Sequence, residues 1–183
     1  MSISRRLDPS TVCLLRESNY EALRVQVDLP DDVDPQMVLI GEARDFTPVA
    51  RVLQDGPAGD FIGTYWGILY LISERFRQLL LDQGITGWSA EPLSITHGSR
   101  VMEAWLLSIS GRCGPVFGAG GVQGESIPSI GHFLDSMQWD GSDMFVPDNL
   151  NAIYVTQECA ELLRSGGLTN LEIELAGLEA LST

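Results

Sequence analysis

Apolar and polar residues alternate from Ala22 to Leu29, which predicts a half-buried strand. Pro30 to Pro35 reads as a turn, and Met37-Val38-Leu39-Ile40 as a short strand after it. From Phe46 to Gly59 the pattern lapses into a stretch with Pro48, Gly56 and Pro57, expected to be a loop-rich connection. Ile68 to Ile72 is an apolar run between Gly67 and Ser73 and predicts a strand. Past it the period changes. Phe76, Leu79 and Leu80 recur at i, i+3 and i+4, the spacing of one helical face. Ser73 suits the N-cap and Glu74 the positive helix end. Gly84 supplies the left-handed stop, with Ile85 making the apolar contact that goes with it. Strands are then expected from Trp88 to Ile95 and from Val101 to Ile109.

The same order of signals returns 83 residues later. Ser73 to Thr86 aligns with Thr156 to Thr169 without a gap, and Leu79/Leu162, Leu80/Leu163, Gly84/Gly167 and Thr86/Thr169 are identical. Strand Ala152 to Val155, cap Thr156, helix face Cys159, Leu162 and Leu163, stop Gly167 and strand Leu171 to Leu175 follow the earlier rules. The offset also pairs Asp60 with Asp143 and Glu91 with Glu174. Two copies do not make a solenoid, which needs at least three short repeats. They predict one α+β domain over residues 1–183, with a mixed or antiparallel sheet and a duplicated strand–helix–strand unit. Residues 1–55 form a strand-rich segment ahead of the first unit (60–95) and the second (143–176).

At 183 residues and 44% hydrophobic, the chain is long enough to bury roughly 70% of its unfolded surface without a staple. It has no apolar run of membrane-spanning length, and the two arginines near Met1 precede no apolar segment of the secretory type. Cys13, Cys113 and Cys159 have no paired spacing, as expected of reduced, mostly buried thiols in a cytoplasmic protein. The net charge of −14 is uneven. Residues 61–124 are neutral overall, whereas 125–183 carry ten acids against Arg164 alone. Every basic residue is arginine, since the chain has no lysine. Such a surface repels nucleic acid and anionic lipid and attracts basic partners, although acidity also serves solubility alone.

Candidate chemistry is sparse. The loop Gly118 to Gly124 fails the dinucleotide pattern, because Gln123 stands where glycine is needed and no helix pattern follows. A P-loop needs a lysine. His97 and His132 have no metal-ligand spacing, and Asp140, Asp143 and Asp148 do not have that of a calcium loop. Asp140 and Ser142 are expected to cap a tight turn over Trp139, with a recognition surface as the alternative. Cys113, beside Arg112, is the only thiol in a loop-like electropositive setting, so a small thiol-dependent hydrolase is a second reading. Glu158 and Glu161, one helical turn apart, form either a solvated face or a docking face.

The segments Leu71 to Phe76, Leu79-Leu80, Ile85 to Trp88, Ser110 to Pro115, Trp139 to Phe145, and Val155-Thr156 through Asn170 together resemble immunity-type proteins of bacterial polymorphic toxin systems, related to the myxobacterial type. The likeness covers roughly residues 60–176. It implies a cytoplasmic protein that binds and neutralises a cognate toxin encoded beside it; together with the acidic charge, the expectation is a non-enzymatic binder of a basic toxin with no nucleic-acid or membrane partner. Some relatives carry two Cys-x-x-Cys pairs that hold zinc; only Cys113 stands near that region here, so no metal or other cofactor is carried over. No catalytic residue is transferred either. Asp140, Asp143, Asp148, Glu158 and Glu161 are the candidates for the partner-binding face, and an acidic protein that dimerises through an exposed strand edge is a further alternative.

Overall fold

The structure, a computed structural model, describes residues 6–19, 21–43, 46–97, 99–118 and 132–180, with backbone only for His97, Arg100 and Ala180. Strand β1 (Cys13–Glu17) and β2 (Arg24–Asp28) precede a short helix, α1 (Pro35–Leu39). Then come β3 (Val49–Gln54), β4 (Phe61–Gly63), β5 (Tyr70–Ile72) and helix α2 (Glu74–Asp82). The long hairpin β6 (Trp88–His97) and β7 (Arg100–Ile109) follows, then β8 (Val116–Gly118) and β9 (His132–Leu134). The chain closes with β10 (Met144–Phe145), β11 (Tyr154–Val155), α3 (Gln157–Ser165), β12 (Leu171–Leu175) and β13 (Leu178–Ala180). The fold is α+β, with mixed and antiparallel sheets around a duplicated unit.

The duplication holds at the level of register. Phe61 faces Ile72 and Ile62 faces Leu71 across β4 and β5. Their counterparts Met144 and Phe145 face Val155 and Tyr154 across β10 and β11. Ser73 Oγ accepts from the Phe76 amide at 3.1 Å, and Thr156 Oγ1 from that of Cys159 at 3.3 Å, so both helices start on a cap. Both reach a left-handed glycine two residues past the last helical one, Gly84 at φ 64° and Gly167 at φ 61°.

A third strand of each unit was not expected from the offset. In the first unit β7 lies between β5 and β6, pairing Trp105 with both Ile72 and Pro92. In the second, β1 lies between β11 and β12, pairing Cys13 with both Val155 and Leu175. The order β4-β5-β7-β6 therefore matches β10-β11-β1-β12 strand for strand. The register sets Leu14, Leu15 and Ser18 in the places of Leu106, Leu107 and Ser110. The second unit is thus permuted: the strand that should close it comes from the beginning of the chain. Cutting either unit away would strip the other of contacts, because Leu15, Phe76, Leu80, Leu107, Val155, Cys159 and Leu163 share one core.

Outside the units, β2 and β3 extend the first sheet beyond β6, with β3 parallel to β6. Two expectations for the N-terminal segment need correction. Met37 to Ile40 belongs to helix α1 and its C-cap rather than a strand: Asp34 Oδ1 accepts from the Gln36 amide at 2.8 Å, and Pro35 at the first helical position is preset for the turn. The stretch read as loop-rich contains β3, whose Val49, Arg51 and Leu53 face outward while Ala50 packs inward. In the second unit the corresponding flank, the outer edge of β12, pairs with no strand among the described residues.

Candidate functional site

Each unit carries an aspartate just ahead of its first strand, and each aspartate holds the other unit. Asp60 Oδ2 accepts from the Thr169 amide at 2.9 Å and from its hydroxyl at 3.0 Å. Asp143 Oδ2 accepts from the Thr86 amide at 3.0 Å and from its hydroxyl at 2.8 Å. The backbone closes each loop in the same way: the Ser73 amide donates to the Asp60 carbonyl, and the Thr156 amide to that of Asp143. Both aspartates are 7% exposed. Buried carboxylates are tolerated only with such donors.

The resulting brace is symmetric in geometry and asymmetric in charge. In the first unit Arg75 lies over it, giving Nη1 to Asp60 Oδ2 at 3.1 Å and Nη2 to the carbonyls of Gly166 and Gly167 at 2.6 and 3.1 Å. Burial opposes ionisation of Asp60, but the hydrogen bonds from Ser73 and Thr169 and the charge of Arg75 prevail and hold its carboxyl below its ordinary range. The alignment puts Glu158 where Arg75 stands. The second unit has a cleft of about 380 Å³ at this place, lined by Gln83, Gly84, Thr86, Gly141, Asp143 and Glu158 among others.

Of the five predicted partner-binding residues, the structure brings Asp143 and Glu158 to this cleft, with Asp140 next in sequence to its Gly141. Asp143 is buried and braces the units; Asp140, Asp148, Glu158 and Glu161 are exposed. Asp140 forms the expected turn, accepting from the amides of Ser142 and Arg112 at 2.9 Å each, while Trp139 donates from Nε1 to the Ser142 carbonyl and packs edge-on against Phe145. Glu161 accepts from Gln157 Nε2 one turn back. Asp148 does not line the cleft; its amide donates to the Gly114 carbonyl.

Cys113 is not in an open electropositive loop. It is fully buried, and its thiol is pushed up to about 12 by burial, then by Asp148 and Asp140, against a smaller opposing effect of Arg112. Cys159 is likewise a core residue, as its helical position predicts. His132 lies on β9 and His97 ends β6 in another sheet. Most of the glycine-rich segment, from residue 119 onward, lies outside the described residues. No group of three or more His, Cys, Asp or Glu among the described residues is arranged to hold a metal ion. A second concavity, of about 460 Å³, runs along Leu29 to Pro35 under Trp66, whose Nε1 donates to the Val27 carbonyl. No helix among the described residues is long and apolar enough to cross a membrane. No family model and no curated protein matches the chain.

Sequence reading alone missed Arg75 as a site residue. The signal was present: Arg75 against Glu158 is a reversal of charge at a position next to the helix start, between the conservative cap pair Ser73/Thr156 and the identical pair Leu79/Leu162.

Proposed function

We propose that this is a non-enzymatic binding protein of the cytoplasm, an immunity protein that captures a basic toxin domain through the acidic surface of its second unit. The observation that carries this reading is the asymmetry between two equivalent units. One closes its inter-unit brace with its own arginine; the other has a cleft bordered by carboxylates, in the segment 125–183 whose net charge is −9. Exposed acids accelerate encounter with a cation-rich partner and reject anionic ones, while residues buried at the contact set the lifetime. The resemblance of residues 60–176 to immunity-type proteins supports the choice of partner class.

The test is co-expression with the toxin domain encoded beside the gene. The wild-type chain restores growth, and a variant with Asp140→Asn, Asp148→Asn, Glu158→Gln and Glu161→Gln associates more slowly and with a flatter salt dependence. An unchanged association rate at low salt would remove the acidic face from the account. Self-association is the second reading, favoured by the outer edge of β12 and by Leu175, 67% exposed at its end. Glu172 on that strand and the overall charge oppose it. Light scattering at two concentrations separates the cases.

A further inference from the structure

The first unit shows what the second unit's cleft is built to hold. The carbonyls of Gly166 and Gly167, at the C-terminal end of α3, and Asp60 Oδ2 converge on one guanidinium. In the second unit Gln83, Gly84 and Asp143 take their places. The backbone matches, with Gly84 and Gly167 both left-handed and Gln83 and Gly166 both right-handed helical. Holding Thr86 does not disqualify Asp143, since Asp60 Oδ2 binds Thr169 and Arg75 together. The C-terminal end of α2 contributes its negative pole, and Glu158 brings a carboxylate where the first unit has a cation.

From this we infer that the cleft between the end of α2 and the start of α3 accepts the guanidinium of an arginine side chain on the basic partner. The inference rests on the reading of the protein as a binder of basic proteins, and names the contact. A planar fork suits two adjacent carbonyls and a carboxylate better than a point-like ammonium does. Glu158 is then an anchor of the interface and Asp140 part of its rim.

Amide shifts of the full ¹⁵N-labelled chain, titrated with methylguanidinium, test the cleft directly. Saturable shifts are expected at Gly84, Thr86 and Gly141, with Gly167 and Thr169 unmoved, and weaker ones with methylammonium. Glu158→Arg supplies a cation from within the chain at the place Arg75 takes in the first unit. It should remain folded and weaken methylguanidinium binding by about tenfold or more, the equivalent of one charged hydrogen bond. Arg75→Ala should open the first unit's cleft, so that Gly167 and Thr169 now shift. A capped tripeptide with a central arginine should bind more tightly than free arginine, whose carboxylate meets Glu158 and Asp140; the reverse order would overturn an origin on a protein. Absence of saturable shifts, or equal binding by Glu158→Arg, overturns the cleft itself. If methylguanidinium binds as described while the toxin domain is not captured, the immunity reading falls and the cleft stands.

Discussion

Arg75 and Glu158 occupy one position in two copies of the same structure, each two residues past a hydroxyl cap, and they carry opposite charges. Around them the caps, the left-handed glycines and the Asp–Thr braces all repeat. A reversal of charge within that repeated frame leaves the fold intact and changes what the surface attracts. Arg75, 57% exposed, completes the first unit from within. In the second unit a cleft lined by Asp143 and Glu158 stands at that place.

The braces carry much of the link between units. Asp143→Ala leaves the Thr86 amide and hydroxyl without their acceptor, and Asp60→Ala does the same to Thr169. Each substitution should cost roughly 2–4 kcal/mol, read as a lower urea midpoint at unchanged slope. Thr86→Val keeps the amide donor and should cost about 1 kcal/mol.

Acid should act through Asp60. Its folded-state pKa is lowered, so its stabilising effect is complete above the unfolded carboxyl value of about 3.9 and is lost as pH falls through the lower folded value. Urea midpoints measured from pH 2 to pH 6 should fall steeply below about pH 4 in the wild type. Asp60→Asn should begin less stable and lose less over the same range.

The three thiols should be inert in the native state. Cys13, Cys113 and Cys159 are buried, and burial ahead of nearby acids pushes Cys113 and Cys159 up to about 12. A thiol-reactive chromophore at pH 8 should label none of them until denaturant is added, when all three react. Fast labelling of Cys113 in the folded protein would revive the thiol-enzyme reading.

Gly87 and Asn170 are also counterparts, both left-handed, at φ 85° and 59°. A side chain at Gly87 would run into the Met144 carbonyl and Ser142, whereas Asn170 is accommodated because Gly59 stands where Ser142 does. Gly87→Ala should therefore cost roughly 2–3 kcal/mol, and adding Ser142→Gly should recover part of it. A double-mutant cycle by thermal melting measures the coupling.

Much of this architecture was legible in the sequence, where local chemistry wrote it. Ser73 and Thr156, the helical faces and the stops at Gly84 and Gly167 are each dictated by neighbours a few residues away, and the structure places them as read. β1 was not legible, because its equivalence to β7 rests on Leu14, Leu15 and Ser18 alone and on a permuted order that no constant offset reveals. α1 was missed because four apolar residues fit a strand as well as a helix; Asp34-Pro35 ahead of them was the deciding signal. The acids of the candidate face were readable as residue types. Their division into a buried brace, Asp143, and exposed contacts was not, since it depends on Thr86, 57 residues away.

The most direct test of the account is growth protection by Glu158→Arg. Co-expressed with the toxin domain, this variant should fold with an unchanged or raised melting temperature, yet lose protection that the wild-type chain confers, because its own guanidinium fills the cleft. Full protection by a folded Glu158→Arg chain would contradict the claim that the second unit works by taking a cation from its partner.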